Sequence, residues 1–64
     1  QLAAASSLMG KFVGGMTEDN NRVAGFVVSV IKQNDHANLE LDNGWVVPIT
    51  GVEQVINPPA PAGP

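Results

Sequence analysis

The sequence has no cysteine and no tyrosine, a single histidine, and only three cationic side chains. Each shortage closes a class of function. Without cysteine there is no disulfide and no thiolate ligand, and one histidine does not make a zinc site. Lys11, Arg22 and Lys32 are scattered along the chain and stand against six acidic residues, for a net charge of −3. Nucleic-acid binding wants a clustered basic surface, so nucleic acid is not an expected partner. No apolar run is long enough to span a bilayer, and no basic region followed by an apolar core marks a secretory leader. A membrane is not an expected partner either. The aromatic residues are Phe12, Phe26 and Trp45. That is too few for the cage of a methyl-lysine reader, and too few for the interleaved basic and aromatic surface of an oligonucleotide-binding barrel.

Catalysis lacks its parts as well. There is no Ser/His/Asp or Cys/His constellation and no glycine-rich phosphate loop. Glu40 and Asp42 are neighbours in sequence, but they flank a solvated turn and have no apolar pocket to divide acid and base roles between them. His36 opens a strand with no nucleophile or second ligand beside it. The Asp/Asn-rich stretch Thr17–Asn21 lacks the alternating spacing, central glycine and closing glutamate of a calcium loop, and reads as a solvated turn. No enzyme, cofactor or metal is expected.

What is present is a series of short apolar runs separated by turn residues. The clearest is Leu39–Ile49, where two runs flank Asp42-Asn43-Gly44. Asn-Gly between such arms predicts a hairpin with a two-residue type I′ turn. Upstream, Leu2, Ala5 and Leu8 or Met9 recur at helical spacing, which predicts the last turns of a helix over residues 1–9, stopped by Gly10. Gly10–Met16 reads as a first strand with Phe12 in the core, and Gly14-Gly15 predicts a bulge or a close backbone approach. Arg22–Gln33 is the longest apolar stretch, rich in Val, Ile and Phe, and reads as a strand. Its buried set, Gly25, Val27 and Val30, needs a change of phase near Val28-Ser29, which a bulge supplies while bending the strand. His36–Leu41 follows as a strand. Pro48 marks an edge or the end of pairing. Thr50–Val52 predicts one 3₁₀ turn and Glu53–Ile56 a last strand. The tail, Asn57–Pro64, holds four prolines and favours extended polyproline II over helix or sheet. It reads as a loose tail, with ligand for an aromatic groove as the sharper alternative, since Pro58 and Pro61 stand at PxxP spacing without a flanking basic residue.

The expected fold is all-β: a small five-stranded SH3-like or Tudor-like barrel over 10–56, with a short helical N-terminal segment over 1–9 and a Pro-rich C-terminal tail over 57–64. Phe12, Val27, Val30, Leu39, Leu41, Val47, Ile49, Val52 and Val55 are the expected inward residues. The chain begins at Gln1, and we read it as the C-terminal piece of a longer protein. A domain of 64 residues buries only about 60% of the surface its unfolded chain exposes. Disulfide and metal being excluded, oligomerisation is the remaining aid to stability.

The order of residues resembles one family. Leu8, Gly10, Lys11 and Val13 match a Leu-x-Gly-Lys-x-Val step. Gly25, Val27 and Val30 match Gly-x-Val-x-x-Val. Asn43-Gly44, Val47-Pro48-Ile49, and Val52 with Val55 match a closing turn, a Val-Pro-Ile step and a Val-x-x-Val ending. Over Ser6–Ile56 the chain resembles the flagellar hook-capping proteins, also called basal-body rod modification proteins. The helical half that would precede Gln1 and the immunoglobulin-like insertion of some members are not in the sequence, so it resembles a short form. The resemblance implies a non-enzymatic scaffold without cofactor. Such a protein is exported without a cleaved signal peptide to the hook tip, where it forms a homo-oligomer and promotes addition of hook subunits. Proteins similar to this family also occur among phage genes, so the alternative is a small structural protein of a virion, such as a connector, hub or decoration protein that contacts other virion proteins. In either setting the expected contact residues are Leu2, Leu8, Met9, Trp45, Pro58 and Pro59: an apolar arm, an aromatic ring beside a turn, and a preorganised proline step.

Overall fold

A computed structural model of the chain describes residues 5–33 and 35–56. Five strands, β1 (Phe12–Met16), β2 (Arg22–Gln33), β3 (His36–Leu41), β4 (Val46–Pro48) and β5 (Val52–Ile56), form one antiparallel sheet in the order β4-β3-β2-β1-β5. The twelve-residue β2 is the hinge of the architecture. Its first half, Arg22–Phe26, pairs with β1, and its second half, Val27–Gln33, pairs with β3. The register slips between Val27 and Ser29 where the strand changes partner. That slip is the expected bulge, and it keeps Gly25 and Val27 buried and turns Val30 onto the core.

The core is built from Ala5, Val13, Val27, Ala37, Leu39, Leu41 and Val47, with Leu8, Val23, Val30, Ile49 and Val52 packed around it. Two expected core residues lie elsewhere. Val13 and Gly15, not Phe12, are the buried residues of β1. Cross-strand partners share a face, so Phe12 joins its partners Phe26 and Ile56 on the outer side. Val55 does register with Val13, but β5 is an edge strand and Val55 stays 44% exposed.

The turn at the centre of the chain also differs from the expected type. Leu41 N–H donates to Trp45 O at 2.8 Å and Gly44 N–H to Leu41 O at 3.0 Å. That makes a three-residue loop, Asp42-Asn43-Gly44, with positive φ at Gly44 alone, the hairpin in which a left-handed third residue closes the turn. Asn43 is held out of the left-handed region because its side chain is committed. Its Nδ2 donates to Ala24 O at 2.7 Å and its Oδ1 accepts from Trp45 N–H at 3.3 Å. Thr17–Asn21 repeats the design: Thr17 N–H donates to Asn21 O at 2.9 Å, Asn20 N–H to Thr17 O at 3.0 Å, and Asn20 takes the positive φ.

In the N-terminal segment only Ala5 and Ser6 are helical among the described residues, followed by a turn over residues 7–10. The expected helix through Met9 is absent there because the chain must swing back onto the sheet. Gly10, with φ of 78°, redirects it so that Gly10 N–H donates to Val27 O and Lys11 O accepts from Val27 N–H, each at 2.9 Å. A single 3₁₀ turn, Ile49–Gly51, joins β4 to β5 one residue earlier than expected. Its glycine lies against the end of β1. A Cβ on Gly51 would stand 2.4 Å from Met16 O, and one on Gly15 would stand 2.3 Å from Gly51 O. The Gly14/Gly15 register shift in the β1–β5 pairing sits at this close approach.

Candidate interaction surface

Three surface features stand out on this frame. The first is a cross-strand apolar row on the outer side of β2, β1 and β5. Phe12 pairs with Phe26 on one side and Ile56 on the other. The two phenyl rings meet edge to face, with centroids 5.1 Å apart and planes at 79°, a geometry set by the ring quadrupoles. Phe26 is 42% exposed and Ile56 46%. Val28, in the bulge, is exposed as well. Phe26, Val28 and Ile56 are exposed on the face that the core does not use, and Phe12 is half-buried among them.

The second feature is an open groove of about 300 Å³ lined by Thr17, Glu18, Asp19, Gln33, Asn38, Trp45, Val46 and Pro48. Its floor and one side are apolar, with Trp45 45% exposed and Val46 37% exposed. The Thr17–Asn21 loop supplies an acidic wall. Thr17 is buried, and its Oγ1 accepts from Asn21 N–H at 3.0 Å, which fixes the loop that carries Glu18 and Asp19. His36 Nε2 stands 3.8 Å from Glu18 Oε2 on the outer side of that wall, an ion pair when the imidazole is protonated. Asn38 is only 3% exposed and brings a side-chain amide to the lining of the groove. No fully sealed side-chain N or O goes unpaired among the described residues.

The third feature is a second depression, also about 300 Å³, over Gly14 and Gly15. Arg22 of β2 reaches across it to Glu53 of β5, with Nε–Oε1 and Nη2–Oε2 both 3.2 Å. Both side chains are largely in water, where such a pair contributes about 1 kcal/mol or less.

Of the contact residues expected from sequence, Trp45 lines the groove. Leu8 packs against the core of its own chain, and Met9 beside it is 48% exposed. Leu2, Pro58 and Pro59 lie outside the described residues. Gly10 bonds Val27, Val27 registers with Leu41, and Leu41 bonds Trp45. The N-terminal turn and Trp45 thus sit three strand spacings apart, roughly 14 Å along the sheet, and do not form one patch. Sequence reasoning missed the Phe12–Phe26–Ile56 row and the Asn38 amide. Period-two alternation counted from Val13 would have put Phe12 outside, whereas nothing local marks Asn38, whose burial comes from the sheet around it.

Among the described residues no group of acidic or histidine side chains could hold a metal ion, and no helix is long and apolar enough to cross a membrane. Compared with protein-family models, with curated proteins and with solved structures, the chain finds no match in any of the three.

Proposed function

We propose that this chain is a non-enzymatic assembly component: an SH3-like barrel that works as one subunit of a homo-oligomer and contacts other structural subunits of a larger particle. The observation that carries this reading is the Phe12–Phe26–Ile56 row, with Phe26 and Ile56 exposed and Phe12 half-buried between them. A domain this small has little apolar surface to spare, and burying such a row gains roughly 25 cal/mol for each Å² removed from water. Barrel closure is supported by the backbone approach of Gly51 to Met16 and Gly15, which folds the end of β4 back onto β1. The resemblance of Ser6–Ile56 to the hook-capping proteins favours the flagellar hook tip, outside the cell, as the place of assembly. Electron microscopy of isolated flagella labelled with antibody to this chain tests the setting. Label at hook tips is the expected result. Label confined to phage particles, or on neither structure, overturns it.

A further inference from the structure

We propose that the Trp45 groove receives the proline-rich segment 57–64 of a neighbouring copy, joining subunits head to tail. The inference rests on the assembly reading above and names the contact that would build it.

The chemistry starts with the groove. A polyproline II segment has no internal hydrogen bonds, so its backbone carbonyls need donors from outside. The groove offers the buried Asn38 amide beside the half-exposed Trp45 ring and the apolar Val46 and Pro48. Aromatic-lined grooves suit such a ligand because proline rings pack on the indole face and the ligand backbone is already restricted. The chain carries a matching segment of its own. Residues 57–64 read NPPAPAGP, with four prolines and no charged side chain. Glu18 and Asp19 therefore neither attract nor repel its side chains.

The topology sets the direction of exchange. β5 runs from Val52, registered with Gly15, to Ile56, registered with Phe12. The acidic wall of the groove follows the opposite end of β1, at Thr17. Ile56 thus leaves the sheet roughly 17 Å, the length of a five-residue strand, from that wall and heading away from it. A neighbour's groove is the more accessible target. Such a contact joins two different surfaces, so it propagates into a ring or a filament rather than closing as a two-fold dimer.

Trp45 is the only tryptophan, so its emission reports the groove directly. The full chain is titrated from 1 µM to 1 mM, roughly the range over which weak contacts form, beside a full-length variant carrying Pro58→Ser, Pro59→Ser and Pro61→Ser. The proposal expects a concentration-dependent blue shift in the parent and its loss in the variant; excess synthetic NPPAPAGP peptide should return the parent to monomer by sedimentation while leaving the emission blue-shifted, because the peptide covers the same ring. Asn38→Ala should weaken the association about tenfold with unchanged circular dichroism, tenfold being the effect of losing one buried hydrogen bond. An equal shift in the proline variant overturns the proposal. So does a groove that ignores the peptide but binds a lysine-bearing proline peptide, which would make the occupant a foreign protein. A parent that remains monomeric by sedimentation overturns the assembly reading itself. A parent that assembles with Trp45 emission unchanged overturns only the tail contact.

Discussion

At the scale of single residues, the fold is most sensitive where backbone meets backbone. Gly15 and Gly51 touch through main-chain atoms, and a methyl group at either would overlap a carbonyl oxygen by more than a small adjustment relieves. Gly15→Ala is expected to cost about 3 kcal/mol, the upper end of overpacking penalties, read as a lower urea midpoint with unchanged slope. Leu41→Ala tests the core in the other sense. Leu41 is 2% exposed, and its truncation should cost about 2–5 kcal/mol. Val55→Ala, on the exposed edge strand, should cost less than about 1 kcal/mol. If Val55→Ala proves as damaging as Leu41→Ala, β5 is buried in solution and its edge is occupied.

At the scale of elements, the polar turn after β3 does the work of a missing strand. Where β2 leaves β3, Asp42 N–H donates to Phe26 O at 2.9 Å and Asp42 Oδ1 accepts from Phe26 N–H at 3.2 Å. With the Asn43 bond to Ala24 O, these contacts continue the ladder along the half of β2 that β3 does not reach. Removing a bond of this kind costs about 1 kcal/mol when the freed group can still find water. Asp42→Ala and Asn43→Ala are each expected to lower stability by about that much, measured by thermal unfolding. Together they should loosen amide protection at Phe26 more than at Leu39 in hydrogen exchange. This element also shows what the sequence could and could not reveal. Asn-Gly announced a hairpin, and the phase change at Val28-Ser29 announced the bulge, because both are local consequences of residue type. The turn type was not legible. It depends on Asn43 spending its side chain on a strand nineteen residues away, and no window of sequence contains that contact. Phe12 was misplaced for a related reason. Its size suggested the core, whereas its face is fixed by registration with Phe26 and Ile56, partners 14 and 44 positions distant.

For the whole molecule, composition and surface point the same way. A net charge of −3 and separated cations predict no useful affinity for duplex DNA or RNA. A gel-shift series is expected to show no retardation at physiological salt, and a steep decline of binding with rising salt would contradict that reading. The groove was invisible in the sequence because it assembles from the β1–β2 loop, β2, β3 and β4 at once. The proposed self-association was legible only as a need: a small chain with no disulfide and one histidine has few other aids. The central claim is that the Phe12–Phe26–Ile56 row and Trp45 are covered in the working state. Sedimentation velocity of the full chain tests it most directly, run beside the Phe26→Ser, Trp45→Ala double variant. The account predicts that the parent sediments as a discrete species several times the monomer mass, and that the double variant sediments as a folded monomer. A parent that stays monomeric up to millimolar concentration, or a variant that assembles as the parent does, would contradict it.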